Sequence, residues 1–356
     1  MSDLISVIMS VYNTPEAWLR ASIESILNQT YRDIEFIIVL DKPTDGSDEI
    51  VYSYAASDDR IIVIENTENM GLTVNLNRAL AKASGKYIAR MDSDDVSFRC
   101  RLEHQYKYME ENPYVAVLGT QVCTSFDRAH AMDIYPLCDW LPDQDLLKIR
   151  MLFHNVGVPH PTAMIRASVL RDNGITYDEK IRKSQDYKLW VDIMPYGSIM
   201  LLDEVLLMYR VHEGQITNNR SNQLSYAHMV SLGQAEALLG GLSDSEKETH
   251  CCIATDSVVP DIKSYRAYIR KLVSANDSAG KYDRKKFRLE IAYSWIQKAS
   301  RRMKRQKKFD MILSSYMFYL LRPSFHKLLK LNKSLRSKRA AAVAAADLER
   351  EGAYYQ

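Results

Sequence analysis

The stretch KYIARMDSDD, residues 86–95, combines a short apolar run with three closely spaced carboxylates. The run around Ile88 is typical of a strand, and an acidic cluster made of Asp92, Asp94 and Asp95 follows where that strand would end. Like charges this close repel one another, and a divalent cation that prefers oxygen ligands, such as Mg²⁺ or Mn²⁺, would relieve the repulsion. A solvated acidic turn that caps the next helix is the alternative, because Asp is a common capping residue. The stretch alone is equally compatible with both interpretations.

Strand-like and helix-like segments alternate on the N-terminal side of this stretch. The apolar runs ISVIMSV (residues 5–11) and IEFIIVL (residues 34–40) predict buried strands, and residues 61–64 predict another. Helical patterns separate them, at residues 17–27, 48–55 and 73–83. This order predicts an α/β fold, in which helices flank a mostly parallel sheet.

Polar residues follow three of the predicted strands at the point where each ends. Asn13 follows the first strand, Asp41 follows the second, and the acidic cluster follows the fourth. Because the carboxyl ends of parallel strands meet at one edge of a sheet, where ligands bind, we expect these side chains to line one pocket. Taken alone, Asp41 is better explained as a turn or capping residue.

Several motifs, in order, resemble the family 2 glycosyltransferases, which are inverting nucleotide-sugar transferases with the GT-A fold. The matching segments are ISVIMSVYN, SILNQTYRDIEFIIVLD and NMGLTVNLNRALAKASGKYIARMDSDD. The resemblance covers roughly residues 4–215 and implies a GT-A, Rossmann-like domain of the type used in bacterial surface-polysaccharide synthesis. The family commonly has Asp-Asp-Gly-Ser after the second strand, whereas this chain has DKPTDGS at residues 41–47.

The resemblance implies which residues hold the donor nucleotide. The positions that match are Val11, Tyr12, Asn13, Asp41, Asp92 and Ser93. A UDP-sugar is the expected donor, because a carboxylate such as that of Asp41 suits the imide N–H of uracil.

The family's Asp-x-Asp motif corresponds to residues 92–94, which implies that Asp94 binds the metal and makes Asp95 a further candidate. A bound Mn²⁺ or Mg²⁺ would stabilise the negative charge that grows on a diphosphate leaving group. The chain has no GxxxxGK[ST] phosphate loop that could take over this task.

A second stretch, SQDYKLW at residues 184–190, places the isolated carboxylate of Asp186 before an apolar helix face. A first-turn acid would stabilise the helix through the helix dipole. A general base there would instead take the proton of an attacking sugar hydroxyl. The family carries Glu-Asp where this chain has Gln185-Asp186, and the resemblance favours Asp186 as the catalytic base.

Two histidines are candidates of different strength. The segment YRVHEGQ, residues 209–215, resembles the family's Tyr-Arg-x-His segment, which implies that His212 binds the metal. Arg210 could neutralise phosphate, and Gln215 is a further candidate. His160, in HNVGVPHP, is more simply explained as a structural residue, with ligand contact as the alternative.

Charge is unevenly distributed along the chain. Residues 281–339 contain 19 Lys or Arg and three Asp or Glu, whereas residues 1–280 carry a formal net charge of −12. A basic, aromatic-rich helical region of this kind is either a solvated face or a surface that binds an anionic membrane. No nucleic-acid reader motif is present, so we expect no nucleic acid as partner.

These patterns predict three parts. Residues 1–220 form a GT-A catalytic domain, residues 221–339 a helical and basic C-terminal appendage, and residues 340–356 a low-complexity tail. The five cysteines lack CxxC spacing, and neither a signal peptide nor a spanning apolar run is evident. We therefore expect a cytoplasmic protein that is peripherally associated with the inner face of the cell membrane.

The expected activity is metal-dependent inverting transfer of a hexose or N-acetylhexosamine from a UDP-sugar. The expected acceptor is a hydroxyl of a lipid-linked saccharide in surface-glycan biosynthesis. A non-catalytic nucleotide-sugar-binding subunit of a glycan assembly complex is the alternative. A nucleotidyltransferase would need a Gly-rich basic loop after the first strand, and SVYNTP is not such a loop.

Overall fold

The structure, a computed structural model, describes residues 3–126, 129–133, 143–212, 220–255, 262–292 and 294. The chain divides into two compact units between Gln234 and Ala235. The boundary expected at residue 220 and the separate tail stay predictions. The tail and most of the basic region lie outside the described residues.

The first unit begins with strictly alternating strands and helices. These are β1 (Ile5–Val11), α1 (Glu16–Leu27), β2 (Ile34–Leu40), α2 (Ser47–Ala55), β3 (Ile61–Glu65), α3 (Leu72–Lys82) and β4 (Tyr87–Arg90). Strands β1 and β2 are almost entirely buried, as their apolar sequences predict.

The remaining elements of this unit complete the sheet. They are β5 (Val96–Ser97), α4 (Arg101–Glu111), β6 (Val115–Phe126), β7 (Ala129–Asp133), α5 (Gln144–Met151), a 3₁₀ turn (His160–Thr162), β8 (Met164–Arg166), α6 (Ala167–Asp172), α7 (Gln185–Ile193) and β9 (Ser198–Val211). Helix α8 (Arg220–Leu239) follows.

The described strands form one sheet in the order β3-β2-β1-β4-β8-β6-β9-β5, with β7 paired to β6. The long ladders between β1, β2, β3 and β4 and between β6 and β9 are parallel. The short ladders of β5, β7 and β8 are antiparallel. The prediction of an α/β fold with a mostly parallel sheet is confirmed.

Residues 123–145, which the sequence suggests are an irregular connection, are partly strand. Strand β6 continues to Phe126 in parallel pairing with β9, and β7 pairs with its end. The sequence predicts a strand over residues 115–119, but β6 does not end at Gly119. A side chain at Gly119 would overlap Val158, so this glycine marks a close approach between the strand and the loop before the 3₁₀ turn.

The sheet is buried on both faces, as its parallel strands require. Alternate residues of each central strand belong to different hydrophobic clusters: Ile8, Ile37 and Ile88 face one cluster. Val7 and Phe36 face the other cluster, with Leu102 of α4. A sheet fixed from both sides gives the ends of its strands defined positions.

The second unit is helical where it is described. Helix α9 (Asp244–Ala254) begins with a capping box between Ser243 and Glu246, and α10 (Ile262–Ala279) follows. Lys271 of α10 donates to Glu246 at 2.7 Å. Among the described residues, no helix combines the length and apolar character needed to cross a bilayer.

Candidate active site

The parallel pairing of β1, β2 and β4 brings the ends of these strands to one edge of the sheet. The acidic cluster follows β4 there, and carboxylate oxygens of its three members lie within 4.8 Å of one another. The side chains of Asp92 and Asp94 are 31% and 23% exposed. Asp95 is fully buried. The structure therefore gathers the carboxylates, as expected, at a position that a ligand can reach.

Asp95 is the buried member of the cluster. Its Oδ1 accepts a hydrogen bond of 2.9 Å from the backbone N–H of Arg210. Its Oδ2 has no hydrogen-bond partner among the described residues. Burial, reinforced by the charges of Asp92 and Asp94, raises the pKa of Asp95 well above its usual range. A buried carboxylate oxygen without a partner calls for a proton or a cation, and the oxygen-rich surroundings fit Mn²⁺ or Mg²⁺.

The end of β9 lies against the acidic cluster. His212 Nε2 lies 2.9 Å from Asp94 Oδ2, and Arg210 Nε donates to the backbone oxygen of Asp94 at 2.9 Å. Burial raises the pKa of Asp94, and the His212 contact opposes this rise. Arg210 and His212 follow Asp94 by more than a hundred positions in the sequence. The structure nevertheless brings these three predicted site residues into direct contact, with the His212 imidazole beside the Asp94 carboxylate.

Trp18 of α1 is a site residue that the sequence analysis missed. Its ring centroid lies 4.9 Å from that of His212 and 4.9 Å from the guanidinium carbon of Arg210. It therefore packs against Arg210, near the end of β9, and against His212, which directly follows that strand. The feature of the sequence that could have indicated Trp18 is the presence of a large aromatic residue in the first turn of the helix after YNTP.

Arg90, the last residue of β4, was also missed. It is buried, and its guanidinium donates to the Asp92 carboxylate and to the Met91 backbone oxygen. A buried cation beside several carboxylates offsets part of their repulsion, and an arginine inside an otherwise apolar strand was the signal for it.

A second buried arginine supports the same region from α4. Arg101 is fully buried and donates to the backbone oxygens of Pro161, at 2.9 Å, and Arg90, at 3.1 Å. Gln105, one turn later, donates to the backbone oxygen of Thr162 at 2.8 Å. Through these hydrogen bonds, Arg101 and Gln105 hold the 3₁₀ turn against the end of β4. They thereby fix the position at which the acidic cluster begins.

The residues expected to hold the nucleotide lie along the same edge. Val11 is buried at the end of β1, while Tyr12 is 49% exposed. Asn13 has a left-handed backbone, and its Oδ1 accepts from the Thr44 backbone N–H at 2.8 Å. The hydroxyl of Ser93 lies 2.8 Å from that of Thr14. These contacts join the ends of β1, β2 and β4 through side chains.

Asp41 is more enclosed than the sequence suggests. Its Oδ1 accepts from Asn66 Nδ2 and from the Met70 backbone N–H, both at 2.7 Å, and its Oδ2 accepts from the Gly71 backbone N–H at 2.9 Å. Asn66 also donates to Asn75 at 2.6 Å. The carboxylate is thus fixed in place by a buried polar network that the sequence analysis did not identify.

Asp186 lies in the first turn of α7 and is not a member of the acidic cluster. It is partly exposed, and its Oδ2 accepts from Asn155 Nδ2 at 2.8 Å. Burial raises the pKa of Asp186, while hydrogen bonds and the charge of Arg90 oppose the rise. A raised pKa suits a carboxylate that must take up a proton near neutral pH.

His160 is not a member of the acidic cluster, and its contacts are with aromatic residues. Its Nε2 lies 2.8 Å from the Tyr177 hydroxyl, and its ring packs on Trp190 of α7 with centroids 6.1 Å apart. Burial lowers the pKa of His160 well below its usual range, which favours the neutral ring. Ligand contact by His160 stays a prediction, and Gln215 lies outside the described residues.

The substitution Gly157→Ala is expected to destabilise the first unit by about 1–3 kcal/mol, because its new methyl group would overlap the Trp190 indole. Thermal or urea unfolding measures the loss. The control is Gly233→Ala, where no atom lies within 4 Å of the added carbon and the helix should gain about 0.5–1 kcal/mol. Equal stability of the two variants would contradict this packing.

Comparison with known proteins identifies relatives along this part of the chain. Residues 6–174 match the family described as glycosyl transferase family 2. An uncharacterized glycosyltransferase of Methanocaldococcus jannaschii is 38% identical over 226 residues, which are 62% of this chain and 73% of that protein. The O-antigen biosynthesis glycosyltransferase WbnJ of Escherichia coli is 34% identical over 245 residues, which are 66% of this chain and 89% of that protein.

A solved structure is similar in fold. The crystal structure of Staphylococcus aureus TarS 1–349 in complex with UDP-GlcNAc superposes with a TM-score of 0.54 at 17% identity. The match covers 86% of this chain and 92% of that chain. It confirms the predicted GT-A fold.

Proposed function

Since the chain belongs to glycosyl transferase family 2, we propose that it transfers a hexose or N-acetylhexosamine from a UDP-sugar, with inversion, to a saccharide hydroxyl. The observation that carries this proposal is the meeting of the acidic cluster with His212 at the edge of the sheet. A separate carboxylate with a raised pKa, that of Asp186, supports it. A protein that only binds a nucleotide sugar has no need of this second carboxylate.

The acidic cluster and His212 would hold Mn²⁺ or Mg²⁺. Asp94 and His212 are the proposed ligands, and Asp95 offers beside them a buried oxygen that no other described residue contacts through a hydrogen bond. When bound, the cation supplies positive charge where the diphosphate leaving group becomes more negative. The guanidinium groups of Arg90 and Arg210 add positive charge at the same edge.

Asp186 acts as the general base in this proposal. It takes the proton of the acceptor hydroxyl, and the oxygen of that hydroxyl forms a bond to the anomeric carbon. The bond from the anomeric carbon to the diphosphate oxygen breaks, and UDP departs with the bonding electrons. Attack on the face opposite the leaving group inverts the configuration of that carbon.

Uridine is the proposed nucleoside because of Asp41. Two N–H groups already donate to Oδ1 of this carboxylate and one donates to Oδ2, so Oδ2 keeps a lone pair for an imide N–H. The exposed ring of Tyr12 at the end of β1 offers a surface for the base. Asp92 and Ser93 would face the ribose.

The proposed acceptor is a lipid-linked saccharide used in surface-glycan synthesis. Two features support it: the E. coli relative acts in O-antigen biosynthesis, and residues 281–339 have a strongly basic composition. Each Lys or Arg near an anionic leaflet contributes about 1 kcal/mol to attachment. We therefore propose a cytoplasmic protein that attaches peripherally to the inner face of the cell membrane.

UDP together with Mn²⁺ is expected to raise the Tm by about 5 °C or more at one hundred times its Kd, because ligand binding at that level adds about 2.7 kcal/mol. GDP and CDP with Mn²⁺, and UDP with EDTA, serve as controls and should give smaller shifts. A thermal-shift measurement of all combinations checks this. A chain that no nucleotide stabilises in the presence of metal would contradict the proposed donor site.

A further inference from the structure

Asp186 has two carboxylate oxygens, and the structure distinguishes them. Oδ2 accepts a hydrogen bond of 2.8 Å from the side-chain amide of Asn155. Asn155 is exposed and lies in the loop between α5 and the 3₁₀ turn. The contact joins two residues that are far apart in the chain, at the carboxylate to which the proposed function assigns proton transfer.

The orientation of the Asn155 amide is determined by a second hydrogen bond. Its Oδ1 accepts from the backbone N–H of Gly157 at 3.0 Å. A backbone N–H can only donate, so the amide oxygen must face Gly157 and the amide NH₂ group must face Asp186. Asn155 therefore donates to the carboxylate in a fixed direction.

The loop that carries Asn155 is packed against the helix that carries Asp186. Gly157 lies so close to Trp190 of α7 that a side chain would overlap the indole. The Tyr187 hydroxyl donates to the backbone oxygen of Met151, at the end of α5, at 2.5 Å. Both ends of the contact between Asn155 and Asp186 are thus fixed by the same packing.

Among the residues that the structure describes, few groups besides Asn155 influence the charge of the Asp186 carboxylate. Arg90 of β4 contributes a positive charge, which is shared with Asp92. Tyr177, from the connection between α6 and α7, is buried, and its raised pKa keeps the phenol neutral. His160 of the 3₁₀ turn contacts the Tyr177 hydroxyl, and its lowered pKa favours the neutral form. Asn155 is thus the side chain that donates directly to Asp186 among the described residues.

We propose that Asn155 is a positioning residue for the reaction, which holds one oxygen of Asp186 so that the other faces the acceptor hydroxyl. This inference rests on the proposed function, because it assumes that Asp186 is the base. Asn155 itself exchanges no proton and touches no reacting atom.

The proposal predicts a change in pH dependence. The amide stabilises the charged carboxylate and so lowers the pKa of Asp186, opposing the rise caused by burial. Without the amide the pKa rises further, and the base is protonated at a higher pH. The acid limb of the rate profile should therefore move upward by about one pH unit in Asn155→Ala. Asn155→Asp should move it further, because a second carboxylate beside Asp186 repels its charge.

The test measures UDP release from a UDP-sugar in the presence of Mn²⁺, as a function of pH, for Asn155→Ala, Asn155→Asp and Asp186→Asn. Asn173→Ala is the matched control, because Asn173 is also exposed and its amide donates to the Val169 backbone oxygen at 2.9 Å, in α6. We expect about a tenfold fall in kcat at neutral pH for Asn155→Ala, with an unchanged KM for the donor and an unchanged Tm.

The ordered upward shift of the acid limb, from wild type through Asn155→Ala to Asn155→Asp, supports the proposal when the control keeps the wild-type profile. A wild-type profile in Asn155→Ala, together with an inactive Asp186→Asn variant, overturns the positioning role and leaves the proposed function intact. Full turnover by Asp186→Asn overturns both. A fall in kcat without any shift of the limb also overturns the proposal, because a merely structural role would produce it.

Discussion

Asp186→Asn is expected to lower kcat by about 10²–10⁴-fold, which is the usual contribution of a general base. The amide has the size of the carboxylate but cannot take up the acceptor's proton. Because burial already raises the pKa of Asp186, replacing its charge with a neutral amide should not destabilise the fold. UDP release in the presence of acceptor measures the effect, and the affinity for UDP should stay unchanged.

Asp192→Asn is the matched control for this variant. Asp192 lies on the same helix, but its carboxylate pairs with Lys188 at 2.6 Å instead of facing Asn155. The control should retain wild-type turnover. If the two variants had the same activity, Asp186 would have no role as the base, and its carboxylate would be an ordinary first-turn acid.

Asp94→Asn is expected to weaken Mn²⁺-dependent UDP binding by about 100-fold or more, because it removes a charged ligand and the partner of His212. It should lower kcat as well, since the leaving group then loses its stabilising charge. Calorimetric titration of UDP with and without Mn²⁺ separates the metal-dependent part of the affinity from the rest.

The matched control for Asp94→Asn is Glu204→Gln. A carboxylate oxygen of Glu204 lies 2.7 Å from His104 Nδ1, so the two residues form a carboxylate–histidine pair of the same kind at an exposed position. The control should bind UDP and Mn²⁺ like the wild type. Undiminished metal-dependent binding by Asp94→Asn would show that the acidic cluster is a capping turn and not a cation site.

The sequence alone predicts an element and its site residues where one short stretch carries both an apolar pattern and chemically active side chains. The apolar runs of β1 and β2 predict buried parallel strands, and the acidic cluster marks the end of β4. The approach of His212 to Asp94 was expected only through the resemblance to a family. Their contact depends on the pairing of β5 with β9, which no local pattern reports.

What could not be predicted depends on contacts between distant segments. In the sequence, Arg90 is a charged residue that interrupts an apolar strand. Its role becomes clear only from the structure, in which its guanidinium donates to the Asp92 carboxylate. Trp18 gains its role only because β9 ends against α1. Strand β6 passes Gly119 because β9 supplies a long parallel partner, which overrides the local preference of glycine to end a strand.

The proposed reaction is a single displacement in which Asp186 activates the nucleophile. Water can replace the acceptor, so the most direct measurement is the anomer of the sugar first released from α-linked UDP-sugars with Mn²⁺, followed by ¹H NMR before mutarotation. UDP-glucose, UDP-galactose, UDP-GlcNAc and UDP-GalNAc are the donors to test. We expect the β-anomer to be released first, and Asp186→Asn to slow the release by about 100-fold or more. Initial release of the α-anomer would contradict the single displacement.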